Sequence, residues 1–465
     1  MRSVDVTVVG GGPGGYVCAI RAGQLGLSTI VVERYRMGGE CLQMGCIPSK
    51  SLISVARLYD KARHGSKFGI KASSLEIDYH ALQQWRSGVI STLEAGIGSL
   101  CKGYGVEIVK GDAELVDRNR LVVSTAGGTE EITTKNLVVA TGTRPIELPG
   151  ISFDGKLVMS SKEALELTEA PARLLIIGGG AIGMEFASMY QKFGSQITIV
   201  ELTEQLLPGT DSDLVGVVQR NLERNGARIL LKSRVLSVEK KENAITAAVQ
   251  TPEGTVDIEA EKLLLSVGKR PNTEKMNLDR IGVRTSEKGY IITDEHMRTS
   301  VNGIYAIGDV RGPPLLAHKA SKEGIVAAES ITGLPTAADW KAMPDAVFTD
   351  PEIATVGLTE TKAVESGYPI KKSRFPFSAL GRALSAGETE GFVRVISDTR
   401  NGQVLGAQIV GPEASNLISE VALAMEMGAT VEDLALTIHP HPTLPEAIME
   451  AAEVAAGRPI HQLRS

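Results

Sequence analysis

Two cysteines lie five positions apart in the segment 38–50, which reads GGECLQMGCIPSK. In a regular helix the Cα atoms of Cys41 and Cys46 would be about 8–9 Å apart, beyond the limit of about 7 Å for a disulfide. A break at Gly45 would bring the sulfurs together, and a strained, reducible disulfide beside a redox cofactor suits thiol exchange. On spacing alone two buried thiols are the simpler interpretation, and a zinc site would need a second ligand pair nearby.

A second reactive segment, 438–446, reads IHPHPTLPE and precedes a predicted helix over 447–456. Oxidation of a dithiol needs a base, because the thiolate is the nucleophile and a free thiol has a pKa of about 8.5. A histidine held by a carboxylate can supply it. Thr443 and Glu446 also have capping-box spacing, so Glu446 could instead satisfy amides at the helix start, and His439 could be a loop residue.

The elements that would position this chemistry contain one glycine motif twice. Each copy is an apolar strand, GxGxxG, a helix and a second strand that ends on an acid, Glu33 or Glu201, 18 residues after the last motif glycine. The motif glycines are Gly10, Gly12 and Gly15 in the first copy, and Gly178, Gly180 and Gly183 in the second.

Each part of this motif has a role in binding a dinucleotide. The first glycine permits the tight turn, the second lets the backbone touch a pyrophosphate, and the third lets the helix pack on the strand. The helix N-terminus faces the phosphates, and the acid binds ribose hydroxyls. A single copy is weak evidence, but two copies in register predict two dinucleotide sites. The alternative is a pair of βαβ units that bind nothing.

The repeat extends beyond the motifs. Segments 136–145 and 263–271 are both apolar strands that break at a glycine, Gly142 or Gly268, and continue into Arg-Pro. The repeat therefore predicts whole domains over 1–145 and 146–272, with boundaries at Pro145 and Pro271. The predicted fold class is α/β, with two nested Rossmann-like dinucleotide-binding domains.

A further strand, 303–309, ends on Asp309, which could accept hydrogen bonds from a polyol such as the ribityl chain of FAD. The stretch that follows predicts a helix to about Ile331, whose N-terminal dipole would favour the electron-rich edge of a reduced flavin. Taken alone, the segment could be only a Gly-Asp turn.

Composition limits the other possibilities. A chain of 465 residues, 43% hydrophobic and 22% charged, with 50 glycines, predicts three or four α/β domains. A net charge of -6 without a run of Lys or Arg argues against nucleic acid or an anionic membrane as partner. Neither a signal peptide nor a span of about 20 apolar residues is evident, so we expect a soluble, intracellular protein whose four cysteines do not form structural bridges.

Segment 38–50 resembles the GGxCLNxGCIPSK redox motif of the pyridine nucleotide–disulfide oxidoreductases, and similarity to that family extends over nearly the whole chain. The resemblance implies that Cys41 exchanges with substrate, that Cys46 contacts the flavin, and that Lys50 pairs with Glu185 near the flavin and the nicotinamide. Three positions depart from the family: Glu40, Gln43 and Met44 replace Thr or another small polar residue, Asn, and Val or another small apolar residue. The redox potential and substrate fit are open for that reason.

Segment 438–446 is similar to the HxHPTxxE signature of the dihydrolipoyl dehydrogenases within that family, with Pro445 in place of the usual Ser. The resemblance implies that His441 is the acid/base and that Glu446 orients it. In that family the base comes from the other subunit. The resemblance therefore implies a homodimer, with 273–344 as the second part of the FAD (central) domain and 345–465 as an α+β dimerisation domain.

The resemblance implies FAD and NAD as cofactors and no metal. Glu201 is followed by LTEQ without arginine, which fits the free ribose 2′-hydroxyl of NAD better than a 2′-phosphate. Residues predicted to bind FAD are Gly10, Gly12, Gly15, Glu33, Lys50, Ala113, Thr141, Gly142, Asp309 and Ala317. Residues predicted to bind NAD are Gly178, Gly180, Gly183, Glu201, Val235 and Gly268.

The predicted activity is oxidation of protein-bound dihydrolipoamide through a Cys41–Cys46 disulfide and FAD, with reduction of NAD. The expected partners are lipoyl domains and the core acyltransferase of 2-oxo acid dehydrogenase complexes, or the lipoyl protein of glycine cleavage. The expected location is the bacterial cytoplasm, with a mature mitochondrial matrix protein as the alternative. An NADPH-dependent disulfide reductase and a non-catalytic flavoprotein subunit also stay open. No cysteine pair follows Gly457, which disfavours mercuric reductase and the larger thioredoxin reductases.

Overall fold

The computed structural model describes residues 2–71 and 74–463, so residues 1 and 465, the outer limits of the predicted domains, lie outside the described part. The elements of the N-terminal region are β1 (Arg2–Val9), α1 (Pro13–Gln24), β2 (Thr29–Glu33), α2 (Gly39–Met44), α3 (Cys46–Arg63), α4 (Tyr79–Gly103), β3 (Val106–Lys110), β4 (Asp112–Asp117), β5 (Arg120–Thr125), β6 (Gly128–Val139) and β7 (Thr143–Pro145).

The middle region contains β8 (Val158–Met159), α5 (Ser161–Leu165), β9 (Arg173–Ile177), α6 (Ala181–Lys192), β10 (Gln196–Val200), α7 (Ser212–Arg224), β11 (Arg228–Leu230), β12 (Arg234–Lys240), β13 (Ile245–Thr251), β14 (Gly254–Ala260), β15 (Lys262–Leu265) and β16 (Lys269–Pro271). It is followed by β17 (Ile304–Ala306) and α8 (Ala317–Ile331).

The C-terminal region contains β18 (Asp345–Val347), β19 (Glu352–Gly357), α9 (Glu360–Glu365), β20 (Ile370–Pro376), α10 (Gly381–Ala386), β21 (Phe392–Asp398), β22 (Val404–Gly411), α11 (Ala414–Glu426), α12 (Val431–Leu436) and α13 (Glu446–Ala455).

The first sheet has a parallel part in the order β3-β2-β1-β6-β17 and an antiparallel part, β4-β5-β6. Strand β6 belongs to both. Its C-terminal residues 137–139 lie between β1 and β17, whereas its first residues pair with β5. The central strand β2 is almost entirely buried, as expected where helices cover both faces of a parallel sheet. The predicted strand began at Asn136, but β6 begins at Gly128 because the hairpin extends it.

The second unit repeats this arrangement. Its parallel sheet has the order β11-β10-β9-β15-β8, and β12, β13 and β14 form a three-stranded antiparallel sheet. The two units are joined by β7 and β16, which pair antiparallel with Arg144 opposite Arg270. The prediction of two Rossmann-like dinucleotide-binding folds is therefore confirmed, and the two Arg-Pro segments are neighbours in space.

The C-terminal region is an antiparallel sheet in the order β18-β19-β22-β21-β20. Helix α11 packs on β19 and β22, and α13 packs on β20 and β21. Strands β21 and β22 are buried along their whole length, and Phe375, Phe377 and Phe392 fill the interior. This α+β unit was expected. Within residues 2–71 and 74–463, none of the helices has the length and apolar character needed to cross a membrane.

Candidate active site

The two cysteines lie on either side of a helix break. Helix α2, which carries Cys41, ends at Gly45, whose φ of -140° and ψ of -112° leave the helical region, and α3 begins at Cys46. The predicted break at Gly45 is therefore confirmed. Both thiols are free, and the Cys41 thiol donates a hydrogen bond to the Cys46 sulfur.

The surroundings shift the pKa values of the two thiols in opposite directions. The hydrogen bond from Cys41 lowers the pKa of Cys46 to about 7, and the nearby Lys50 adds to this effect, against the opposing effects of burial and Glu185. The same hydrogen bond, reinforced by burial, raises the pKa of Cys41 far above its ordinary value. A thiolate therefore forms first at Cys46, while Cys41 keeps its proton.

Lys50 and Glu185 form an ion pair between the two dinucleotide-binding units. Lys50 Nζ lies 3.0 and 2.9 Å from the two carboxylate oxygens of Glu185, a buried residue of α6. Glu185 also accepts the backbone N–H of Phe348 at 3.0 Å, and the Phe348 ring lies 4.4 Å from Lys50 Nζ. Phe348 was not predicted, because an isolated aromatic residue after a short strand forms no motif in the sequence.

The first glycine motif makes a turn too tight for side chains. Gly10 has a φ of +109°, and a Cβ there would lie 2.2 Å from the carbonyl oxygen of Ala140. A Cβ on Gly15 would lie 1.8 Å from the carbonyl oxygen of Gly10. Helix α1 has neither a side-chain cap nor an acid in its first turn, so its N-terminal N–H groups suit an anion. Glu33 lies beside this turn and accepts the N–H of Gly11 at 2.6 Å.

The second motif has the same geometry. A Cβ on Gly178 would lie 2.5 Å from the carbonyl oxygen of Ser266, and one on Gly183 would lie 2.1 Å from the carbonyl oxygen of Gly178. Helix α6 also starts without a side-chain cap or an acid in its first turn. Glu201 accepts the N–H of Gly179 at 2.6 Å, as Glu33 does for Gly11. In both copies the carboxylate is held where the ribose of a dinucleotide would lie.

One cavity of about 2800 Å³ connects both motifs, Cys41 and Cys46; we call it the dinucleotide cavity. Its volume exceeds the roughly 300–1,000 Å³ of a site for one small ligand and suits two dinucleotides. Every residue predicted to bind FAD lines it, as does every residue predicted to bind NAD except Gly183, which packs against Gly178 instead. The glycine turns and the open helix N-termini fit FAD and NAD.

Asp309 lies in the wall of this cavity, after β17. Its carboxylate accepts a hydrogen bond from the Thr143 hydroxyl at 3.3 Å. Burial raises the pKa of Asp309 above its ordinary value, and the charge of Lys269 partly opposes that effect. The buried Glu323 of α8 accepts the N–H of Gly308 at 2.7 Å and so fixes the turn that carries Asp309. Ala317, the first residue of α8, lines the same cavity.

His441 and Glu446 form a pair outside the described lining of the dinucleotide cavity. His441 Nδ1 lies 2.8 Å from Glu446 Oε1, and 78% of the His441 side chain is exposed. Glu446 Oε2 accepts the N–H of Thr443 at 2.7 Å, while the Thr443 hydroxyl donates to the carbonyl oxygen of Pro440. Burial would raise the pKa of Glu446, but the N–H of Thr443 and the hydrogen bond and charge of His441 hold that pKa below its ordinary value.

The capping-box interpretation is therefore half right. Glu446 accepts the backbone N–H of Thr443, but the Thr443 side chain does not cap the helix in return. His439 lies in the loop between α12 and α13, as one interpretation expected, but it is not exposed there. Its side chain is only 5% exposed, and Nε2 lies 2.8 Å from Glu420 Oε1. No group of three or more His, Cys, Asp or Glu residues in the described part of the chain could hold a metal ion.

Two dinucleotide-binding units around a dithiol define a disulfide oxidoreductase that uses a flavin and a nicotinamide nucleotide. Residues 4–324 match the pyridine nucleotide-disulphide oxidoreductase family, and residues 343–452 match its dimerisation domain. The chain belongs to this family, which uses FAD and NAD(P). The dimerisation domain supports a homodimer.

Curated relatives cover almost the entire chain. The dihydrolipoyl dehydrogenase of Geobacillus stearothermophilus is 45% identical over 98% of this chain and 97% of its own length. The dihydrolipoyl dehydrogenase of Haloferax volcanii is 46% identical over 99% of this chain and 98% of its own. Among solved structures, LpdA from Mycobacterium tuberculosis is similar with a TM-score of 0.90, 28% identity and coverage of 97% of this chain and 99% of that one. The flavoprotein disulfide reductase RclA from Escherichia coli is similar with a TM-score of 0.86, 26% identity and coverage of 97% and 99%.

Proposed function

We propose that this protein oxidises dihydrolipoamide to lipoamide and transfers the electrons through FAD to NAD. The observation that carries the proposal is the contact between Cys41 and Cys46 in a cavity that also contains both dinucleotide motifs. The curated relatives named dihydrolipoyl dehydrogenase support it at full length. The exposed His441–Glu446 pair adds a base suited to a dithiol.

The chemistry starts with a proton transfer. Nδ1 of His441 is engaged by Glu446, so Nε2 is the ring nitrogen that takes the proton of the first substrate thiol. The substrate thiolate attacks Cys41 of the oxidised pair, the S–S bond breaks, and Cys46 leaves as a thiolate. The second substrate thiol then attacks the substrate sulfur bound to Cys41, the bond from that sulfur to Cys41 breaks, and Cys41 leaves and takes up the proton of the second thiol as lipoamide is released. The two electrons now reside in the reduced pair of Cys41 and Cys46.

The Cys46 thiolate is stabilised by the groups around it. The thiol of Cys41 donates to it, and Lys50 supplies a positive charge that Glu185 holds in place. FAD, when bound, supplies the two-electron acceptor between this dithiol and NAD. Asp309, the Gly10–Gly15 turn and the N-terminus of α8 would hold it, while the Gly178–Gly183 turn and Glu201 would hold NAD.

We propose that His441 of the partner subunit completes each site. Within one chain His441 is exposed and absent from the described cavity lining, so it is free to reach another chain. The C-terminal region also exposes large apolar side chains. They include Leu423, Met427, Leu436, Ile438, Ile460 and Leu463. Large exposed apolar patches commonly mark protein interfaces, so this surface supports the proposed 345–465 dimerisation domain.

The division into 1–145, 146–272, 273–344 and 345–465 stays a proposal as well. It is supported by the pairing of β17 with β6, which returns the chain to the first sheet after the second unit. The antiparallel pair β7–β16 supports boundaries near Pro145 and Pro271. We further propose lipoyl domains of 2-oxo acid dehydrogenase or glycine-cleavage complexes as partners, since the name of the relatives implies a lipoyl substrate. We propose the cytoplasm as the location, since relatives such as those of Geobacillus stearothermophilus and Bacillus subtilis come from bacteria.

NAD is proposed over NADP because Glu201 is buried beside the second motif, where its charge would repel a 2′-phosphate.

The test of the proposed function is formation of NADH from dihydrolipoamide by the holoenzyme, with NADP in parallel. We expect turnover with NAD, at least tenfold slower turnover with NADP, and none for Cys46→Ser. The matched control is Cys101→Ser, since Cys101 is a buried thiol of α4 away from the cavity. Preferred reduction of another disulfide by NADPH would instead indicate the reductase alternative.

A further inference from the structure

An acidic side chain lies next to the place where the first glycine motif would hold a diphosphate. Helix α2 begins at Gly39, which has a φ of +58°, and a Cβ there would lie 2.5 Å from Gly12 Cα. The first turn of α2 is therefore in backbone contact with the N-terminus of α1. Glu40 is the next residue and lines the dinucleotide cavity. With FAD bound, a carboxylate here would lie near the two negative charges of the diphosphate, which like-charge repulsion disfavours.

Lys269 compensates this charge. Its ammonium group forms an ion pair with the Glu40 carboxylate, and the side chains of Lys269 and Glu40 are only 14% and 29% exposed. Lys269 also lines the cavity and is held at the start of β16, opposite Pro145 of β7. The pair lies close to Asp309, whose ionisation both residues influence in opposite directions. Without Lys269, its positive charge would no longer offset the carboxylates of Glu40 and Asp309 beside the flavin nucleotide.

We propose that Lys269 is a charge-compensating, positioning residue of the flavin-nucleotide site, which neutralises Glu40 and so lets the first turn of α2 lie against the diphosphate of FAD. The related redox motif usually has Thr or another small polar residue at the position of Glu40, so the negative charge there is a feature of this chain. The inference rests on the use of FAD and does not depend on which disulfide or dithiol the protein converts. Glu40 directly precedes Cys41, so the same ion pair also holds the redox helix against the flavin site.

Flavin binding by the apoprotein tests this inference. FAD is removed, and its dissociation constant is measured from the change in flavin fluorescence on rebinding. The variants set the local charge of the pair: Lys269→Met leaves -1, Glu40→Gln leaves +1, and the double variant is neutral like the wild type. We expect Lys269→Met to weaken FAD binding about ten- to a hundredfold, or about 1.4–2.8 kcal/mol. Glu40→Gln should bind at least as tightly as the wild type, and the double variant within about threefold of it.

Ionic strength supplies a second readout. The repulsion in Lys269→Met crosses a partly solvated cavity, so its defect should shrink as salt rises from about 0.05 to 0.5 M, while the double variant shows no such change. The matched control is Lys262→Met, because Lys262 lies on β15, donates to the carbonyl oxygen of Lys156 and is outside the described cavity lining. It should bind FAD as the wild type does.

A purely structural ion pair gives a different pattern. Glu40→Gln would then weaken FAD binding as much as Lys269→Met, and the double variant would not recover, which would overturn the inference. If Lys269→Met does not fold, the double variant decides, since a tenfold loss relative to the wild type would mean that Lys269 does more than compensate Glu40. A wild-type apoprotein that fails to bind FAD at all would contradict the proposed function instead.

Discussion

Glu185 binds Lys50 through both carboxylate oxygens, at 3.0 and 2.9 Å, while it holds the backbone N–H of Phe348. The three residues come from α3, α6 and the segment after β18, so the pair joins all three parts of the chain behind Cys46. The two charges of the pair act on Cys46 in opposite directions. The charge of Lys50 lowers the pKa of Cys46, and the charge of Glu185 raises it.

These opposing charges predict opposite shifts in the pKa of Cys46 when Lys50 or Glu185 is replaced by a neutral residue. In the reduced holoenzyme a Cys46 thiolate beside the oxidised flavin should give a long-wavelength absorption that develops as the pH rises through about 7. Lys50→Met should move this titration to higher pH, and Glu185→Gln should move it to lower pH. Absorbance against pH after addition of one equivalent of dithiol measures both shifts. Shifts in the same direction would show that the ion pair acts on Cys46 by position alone.

The two acids of the repeated motifs predict a pair of matched variants. Glu201→Ala should weaken NAD binding by about 1.5–3 kcal/mol, or about ten- to a hundredfold, because charge-assisted bonds to the ribose are lost. Glu33→Ala removes the equivalent acid, which bonds the residue after the first motif glycine as Glu201 does, and should weaken FAD binding while NAD binding is kept. Titration calorimetry with NAD and flavin fluorescence separate the effects. An unchanged NAD affinity in Glu201→Ala would move the nicotinamide site elsewhere.

The sequence predicted those elements of the fold whose signals lie within a short stretch of the chain. Helix α8 ends at Ile331 as predicted, and α13 lies within one residue of the helix predicted over 447–456, because helical periodicity and helix ends are local patterns. The antiparallel strands β12–β14 were not predicted, because they lie between the elements of the repeated motif and carry neither its glycines nor its terminal acid. The roles of Phe348 and Lys269 depend on contacts across domains. The Glu40–Lys269 pair joins residues 229 positions apart, which spacing within a motif cannot reveal.

The C-terminal tail predicts a local dependence of stability on pH. His461 Nδ1 lies 2.5 Å from the buried Glu450, and this hydrogen bond, strengthened by the charge of Glu450, raises the pKa of His461 above its ordinary value. A raised pKa in the folded state stabilises the tail below the unfolded pKa of about 6.5, and the effect is lost as the pH rises through the folded value. Because His461 is 67% exposed, we expect less than about 1 kcal/mol.

Hydrogen–deuterium exchange of residues 457–463, corrected for intrinsic rates, measures this effect. Protection should fall between about pH 6 and 8.5 in the wild type and be low at both values in His461→Gln. The control is His64→Gln, which removes an exposed histidine paired with Asp60 far along the chain. Equal protection of the wild type at both pH values would contradict a role for the His461 charge.

The position of His441 gives a test of the subunit that supplies the base. If it acts on the partner's dithiol, a Cys46→Ser homodimer and a His441→Gln homodimer each lack one essential group at both sites. Both should be nearly inactive toward dihydrolipoamide, since a general base contributes about 10²- to 10⁴-fold and the thiolate is indispensable. In a mixed dimer, one site carries both lesions and the other carries neither.

Unfolding, mixing and refolding the two variants with FAD should therefore restore activity. With equal amounts and random pairing, half of the dimers are mixed and each has one intact site, so about a quarter of wild-type activity is expected. Each variant refolded alone is the control, and differential tags count the mixed dimers. A base that acts within its own chain leaves one lesion at every site, whatever the mixing ratio. Verified mixed dimers that stay inactive would therefore rule out the shared site, whereas recovery in proportion to their number would assign the base to the partner.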